Sequence, residues 1–172
     1  GDVKVLLLKF NDYQCPSCRQ AYVLYNDIIE KYVAAYPGVF RYESRDFPLE
    51  PECGAGGVHG AACEAAVAVR LAREKNLDKK LEAVLFDRQS MSMTRDEVKA
   101  LLREVTNIGD AEFDSRYPKL LEEVRQDVQL GQKVGVSGTP TFFINGIRLG
   151  GFRPAAFDAV IAYQLMKAGV TS

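Results

Sequence analysis

Apolar residues along the chain fall into two patterns, short unbroken runs and stripes at helical spacing, and their order outlines the fold. Val3–Phe10 ("VKVLLLKF") is a short, mostly apolar run and predicts a buried strand. Pro16 to about Tyr36 predicts a helix whose inner face carries Tyr22, Tyr25, Ile29, Tyr32 and Tyr36, ended by Pro37–Gly38. "VFRYESRDF" (39–47) predicts a second strand. The chain therefore opens with a strand–helix–strand unit, right-handed on one sheet.

A helical block follows. Ala61–Lys75 is alanine-rich and suited to close packing, and Leu77, Leu81, Val84 and Leu85 mark a second stripe. Thr94 with Glu97 is a capping box, opening a helix that turns Val98, Leu101, Leu102 and Val105 to one side, with Gly109 just past its end. Pro118 is expected to start a further helix with Leu121, Val124 and Val128 inward. Strand character returns in "TPTFFINGIRLGG", where Asn145–Gly146 is a hairpin signal. A last helix after Pro154 carries Phe157, Val160, Ile161 and Leu165. With no internal repeat, low-complexity tract or linker, the pattern reads as a single α/β domain over 1–172 with a helical insertion at about 60–134.

Composition narrows the function classes. A net charge of −1 argues against nucleic acid as a partner, since phosphate binding shows as a basic excess. The longest apolar run, Val5–Leu8, is far short of the ~20 residues that a bilayer-crossing helix needs. No signal peptide is read at the start, and Gly1 in place of an initiator methionine suggests a processed product or an excised segment.

The chemistry lies in the cysteines. Cys15 and Cys18 form a C-x-x-C pair just past the first strand, with Pro16 at the start of the helix. A cysteine capping a helix faces unpaired N–H groups and the positive end of the dipole, which stabilises a thiolate and can bring its pKa from near 8.5 to about 3.5–7.5. Cys18 lies almost one turn further on the same side, close enough to close a disulfide. Such a pair between a strand and a helix is a redox context, against the alternative of a structural staple. Zinc fits poorly: the nine-residue gap between Cys53 and Cys63 is wrong for a ligand pair, and His59 is the only histidine. Cys53 and Cys63 bracket a glycine-rich loop. The favoured reading is a structural disulfide and the sharper one a second redox pair that relays electrons, either of which fits an oxidising compartment. His59, inside that loop, could influence a nearby thiol, but the expected reading is an exposed spectator. Far downstream, Thr139–Pro140 precedes an apolar strand, where proline is tolerated as a first residue; the bond is either an ordinary trans one or a cis one that presents the Thr139 backbone to a peptide.

Together, "FNDYQCPSC" and "GVSGTPTFFING" resemble motifs of the thioredoxin superfamily, in its DsbA-like branch of thiol-disulfide oxidoreductases, over essentially the whole chain. The resemblance implies a thioredoxin fold, a mixed central sheet flanked by helices, with that branch's helical insertion. It implies that Cys15 is the nucleophile, Cys18 the resolving thiol and Pro140 a cis-proline facing them, with Pro16, Ser17 and Thr139 as active-site support. "DFPLEPEC" and "HGAACEAAVAVRLA" are similar to thioredoxin-like domains linked to bacterial vitamin K epoxide reductase homologues. That similarity implies a membrane quinone-linked reoxidant of the same type. Relatives usually carry an acidic residue six positions before the first cysteine, where this chain has Lys9. Lys9 is then either a buried charge that favours the thiolate or relays a proton, or a side chain that snorkels to solvent.

The resulting expectation is a periplasmic or extracytoplasmic enzyme, with membrane tethering of a longer chain left open, that introduces disulfides into exported proteins. Its partners are cysteine-containing protein substrates, it is expected to be a monomer, and it needs no bound cofactor or metal because the disulfide carries the electrons. Pro16–Ser17 lacks the histidine that the strongest oxidants of the family have between their cysteines, which points to a milder oxidant. The alternatives are a reductase or isomerase, and a redox-inert peptide-binding or chaperone module.

Overall fold

The computed structural model describes residues 2–151 and 153–170. Gly1, on which the expectation of processing rests, lies outside the described residues, as do both ends of the 1–172 span. The elements run β1 (Val5–Asn11), α1 (Pro16–Ala35), β2 (Phe40–Asp46), a 3-10 turn (Pro51–Cys53), α2 (Ala62–Arg73), α3 (Asp78–Asp87), α4 (Arg95–Thr106), α5 (Asp110–Lys133), β3 (Thr141–Ile144), β4 (Ile147–Arg148) and α6 (Pro154–Lys167).

The strands form one mixed sheet in the order β2-β1-β3-β4. β1 pairs parallel with β2 and antiparallel with β3, placing Lys9 beside Phe142 and Phe10 beside Thr141. The short β3–β4 hairpin turns on Asn145 and Gly146, both at positive φ (47° and 79°), the combination that lets a two-residue loop match strand twist.

Because side chains alternate along β1, its two faces supply two cores. Val5 and Leu7 pack with Ile29 of α1, Phe40, Ile144, and Phe157 and Ile161 of α6. Phe10 belongs to a larger cluster with Phe47, the alanine-rich α2, and Leu102, Phe113 and Val124 from α4 and α5. Alanines 65, 66, 68 and 72 of α2 are almost fully buried, and their small side chains let α3, α4 and α5 close around that helix. Arg70 of α2 ties it to the sheet, donating to Asp46 at the end of β2 (2.8 Å) and to Asp127 of α5 (2.6 Å). Burial, helped by the nearby Asp127 carboxylate, outweighs the Arg70 cation at Asp46 and pushes its pKa up to about 6.

Two expectations are corrected. Asn107, at φ 60°, ends α4, while Gly109 is extended (φ −84°) and caps the start of the next helix. That helix, α5, begins at Asp110, so Pro118 is interior and does not start it. A proline there forfeits a backbone hydrogen bond at a cost of about 3 kcal/mol. Tertiary contacts hold the two turns before it: Phe113 and Tyr117 are buried with ring centroids 5.4 Å apart, Arg95 stacks 4.2 Å over Tyr117, and Lys99 donates to Asp114 at 2.9 Å.

Gly131 of α5 lies against the sheet, where a Cβ would stand 2.6 Å from Phe47 Cδ2 and 3.1 Å from Phe10 Cδ1. Gly131→Ala would gain about 1 kcal/mol of helix propensity, but overpacking of this kind costs about 1–3 kcal/mol. Urea denaturation is expected to show a net loss of stability.

Candidate active site

Cys15 sits where β1 hands over to α1. It is the N-cap of α1 in extended conformation (φ −80°, ψ 121°), with Pro16 at the first helical position and no acidic residue in the first turn. The polar loop leading to it is held from several sides. Asp12 Oδ1 accepts from Gln14 N (2.7 Å), and Gln14 Oε1 accepts from Ala61 N (3.0 Å). Gln14 Nε2 donates to the Ser90 and Met91 carbonyls (both 3.1 Å), and Gln89 Nε2 donates to those of Tyr13 (2.7 Å) and Cys15 (3.0 Å). The segments that open α2 and close α3 thus fix the approach to the cysteine pair.

Cys15 and Cys18 are free thiols, and both are buried, whereas Pro16 and Ser17 are exposed. Cys15 Sγ lies 3.5 Å from the Thr139 carbonyl, across from the helix, and the Thr139–Pro140 peptide bond is cis. Donors favour the ionised sulfur: the Cys18 thiol contributes most, followed by the backbone N–H groups of Cys18 and Ser17. They outweigh burial and hold the Cys15 pKa down at about 5, against an ordinary 9.0. Cys18 is the opposite case. Burial and its hydrogen bond to Cys15 push its pKa well up, although the Asp12 backbone N–H donates to its sulfur at 3.4 Å. The pair therefore holds one thiolate and one thiol, poised for exchange.

Lys9 is buried at the floor of the site, 3 % exposed, so it does not snorkel. Its ammonium lies 5.5 Å from the Phe86 ring centroid and 5.9 Å from that of Phe142. Burial lowers its pKa, opposed by the negative charges of Cys18, Glu82 and Cys15. Glu82 of α3, partly buried, accepts a hydrogen bond from the Tyr13 hydroxyl (3.1 Å), and burial raises its pKa. An acid does stand near Lys9, supplied by the helical block and not by the strand. Glu82 also lines a cavity of about 690 Å³ with Tyr22, Tyr42, Arg45, Arg70 and others, and neither cysteine is among its lining residues.

Cys53 and Cys63 are joined in a disulfide, with Cα atoms 6.0 Å apart. Among the described residues, the grouping of metal-ligand type is Glu50, Glu52 and Cys63, and its sulfur is already bonded to Cys53. His59 corrects the expectation of an exposed spectator. It is 7 % exposed, with Nδ1 2.6 Å from Asp12 Oδ2. Asp12, Gln14, Glu82 and Gln89 were not legible as site residues. The nearest signal was polar residues in the short link between a buried strand and the cysteine helix, where little solvent can reach them.

The family model described as Thioredoxin matches residues 2–162, and the chain belongs to that family. Its class is that of the thiol-disulfide oxidoreductases. Among solved structures it is similar to alpha-DsbA1 of Wolbachia pipientis (TM-score 0.78, 21% identity, 98% of this chain and 89% of that one). It is also similar to oxidised BdbD of Bacillus subtilis (TM-score 0.72, 20% identity, again 98% and 89%). A curated relative is the Na(+)/H(+) antiporter NhaA 1 of Mycolicibacterium vanbaalenii, 27% identical over 170 residues, or 98% of this chain. The chain spans only 25% of that antiporter's length. The likeness to solved structures extends to the mixed sheet with the helical block between β2 and β3.

Two outcomes are expected. Lys9→Met, which removes the buried charge at similar volume, raises the Cys15 pKa, read as an upward shift in the thiolate absorbance titration; an unshifted curve rejects a role for Lys9. For the second pair, a staple predicts that replacing Cys53 and Cys63 with alanine costs about 2–3 kcal/mol in denaturant unfolding with turnover kept. Lost turnover at unchanged stability identifies a relay.

Proposed function

We propose that the chain introduces disulfide bonds into exported proteins through a Cys15–Cys18 dithiol/disulfide. The observation that carries this reading is the opposed ionisation of the two sulfurs. A substrate thiolate attacks Cys15 Sγ of the oxidised pair, forming a mixed disulfide and releasing Cys18, which takes up a proton. A second substrate thiolate attacks the substrate sulfur of that bond, making the substrate disulfide and expelling Cys15 as a thiolate. Two electrons have then passed from substrate to enzyme; of the two substrate thiol protons, the equivalent of one ends on Cys18 and the other is released to solvent, because Cys15 stays ionised. The low Cys15 pKa makes it a good leaving group, and the high Cys18 pKa keeps that thiol from attacking the mixed disulfide early. Lys9 stands where the proton of Cys18 is gained and lost.

Stabilising the thiolate favours the reduced enzyme over the oxidised one, the condition for an oxidant. Thr139 and Pro140 face the sulfur across the cleft and supply backbone for an extended substrate segment to pair with. The Cys53–Cys63 disulfide supports an extracytoplasmic setting, since such bonds persist where thiols are not kept reduced. Regeneration falls to a membrane quinone-linked partner of the vitamin K epoxide reductase type. No helix among the described residues is long and apolar enough to cross a membrane.

A pH series tests the direction of electron flow. Cys15 has a folded pKa of about 5, below its ordinary 9.0, so the thiolate's contribution is full above about pH 9 and lost as pH falls through 5. The oxidised form carries no such group. Urea unfolding is expected to show the reduced form gaining on the oxidised form between pH 5 and 9. A difference that does not vary with pH, with a glutathione titration placing the pair as low as thioredoxin's roughly −270 mV, assigns a reductase instead.

A further inference from the structure

The helix N-terminus favours the ionised Cys15 from one side, and the one histidine of the chain lies against the same loop from the other. The contact runs over a long sequence separation and is built from several bonds. His59 Nδ1 meets Asp12 Oδ2 at 2.6 Å, and the same carboxylate oxygen accepts from Leu49 N at 2.8 Å. His59 N in turn donates to the Leu49 carbonyl at 3.1 Å, and two residues on Ala61 N donates to Gln14 Oε1 at 3.0 Å. Asp12 is the hub. Its other carboxylate oxygen holds Gln14 N, its carbonyl accepts from Cys15 N at 3.2 Å, and its N–H points at Cys18 Sγ at 3.4 Å. Every polar group of Asp12 is thus engaged either with a cysteine, with the residue before Cys15, or with the loop carrying His59.

We propose that His59 is a positioning residue of the dithiol centre: its imidazole fixes the Asp12 carboxylate that shapes the cysteine loop, and its positive charge favours the thiolate form of Cys15. The proposal rests on Cys15 being the reactive thiolate of the proposed function. The dipeptide between the cysteines holds no histidine, and the charge comes instead from a residue in the Cys53–Cys63 loop. The titratable groups facing the imidazole are Asp12 and Cys15 from the β1–α1 loop and Glu50 from the segment before the 3-10 turn. All three, when ionised, favour its protonated form, with the Asp12 hydrogen bond foremost.

Linkage makes the coupling reciprocal and measurable. If His59 stabilises the Cys15 thiolate, the thiolate stabilises protonated His59, and closing Cys15–Cys18 removes that support. The single histidine gives one imidazole signal, so its titration can be followed by NMR in the wild-type protein. The reduced and oxidised states are compared with Cys53–Cys63 kept closed, as thiol counting verifies. The expected result is a His59 pKa that falls on oxidation, by on the order of one unit. In parallel, His59→Gln, which keeps a hydrogen-bonding side chain for Asp12 but no charge, is expected to raise the Cys15 thiolate pKa by a similar amount. Equal His59 pKa values in the two redox states overturn the proposal, as does an unshifted Cys15 titration in His59→Gln. Should wild-type Cys15 itself titrate near 9, the proposed function fails with it, whereas a low wild-type value with uncoupled His59 removes only the positioning role. The comparison of redox states needs no substitution, so a variant that fails to fold does not decide the matter.

Discussion

A thiolate on a helix N-terminus and a neutral thiol one turn inside the same helix are separated by burial and by a few hydrogen bonds, and the short stretch between β1 and α1 has to maintain that difference. Asp12, Gln14 and Cys15 occupy it, and their polar groups are bound on every side. The Ser17 and Cys18 N–H groups at the helix start favour the ionised sulfur, although Cys18 N also donates to the Cys15 carbonyl at 3.0 Å. The first turn of α1 carries no acid that would oppose the charge. In the proposed reaction this arrangement makes Cys15 the leaving group and Cys18 the retained thiol. The cleft, the floor and the second disulfide are disposed around that division.

Three parts of the fold meet at this loop. The sheet brings β3 alongside β1, so that the Thr139 carbonyl faces Cys15. The segment after α3 sends Gln89 to the carbonyls of Tyr13 and Cys15 and offers the Ser90 and Met91 carbonyls to the Gln14 side chain, while α3 itself sends Glu82 to Tyr13. The loop closed by Cys53–Cys63 contributes His59 and Ala61. A helical block between β2 and β3 is therefore more than a cover for the sheet, because its residues hold the site in shape. Arg70, bound to Asp46 and Asp127, keeps that block in register with β2.

Local chemistry was legible where short-range pattern decides it. The C-x-x-C pair behind an apolar run, the proline at the helix start, the capping box at Thr94–Glu97 and the Asn145–Gly146 hairpin each describe a few consecutive residues, and each element lies where the pattern placed it. Failures came where distant contacts outweigh local preference. Pro118 reads as a helix start, yet buried Phe113 and Tyr117 with the charges of α4 extend α5 ahead of it. A glycine-rich loop reads as solvent-exposed, yet a carboxylate 47 positions earlier draws His59 under the surface. Lys9, open to two readings, is resolved by its position on the middle strand beneath two aromatic rings.

By itself the amino-acid sequence determined the order of elements, the fold class and the pair of sulfurs proposed to carry the chemistry, because these rest on periodicity, capping and spacing within short windows. Only the tertiary structure decided which charged groups gather around the cysteine loop and the strand beneath it. Lys9 from the strand, Glu82 from the helical block and His59 from the disulfide loop come from segments far apart in the chain. Their effect on a thiol depends on distance and burial in three dimensions, quantities that linear order does not contain.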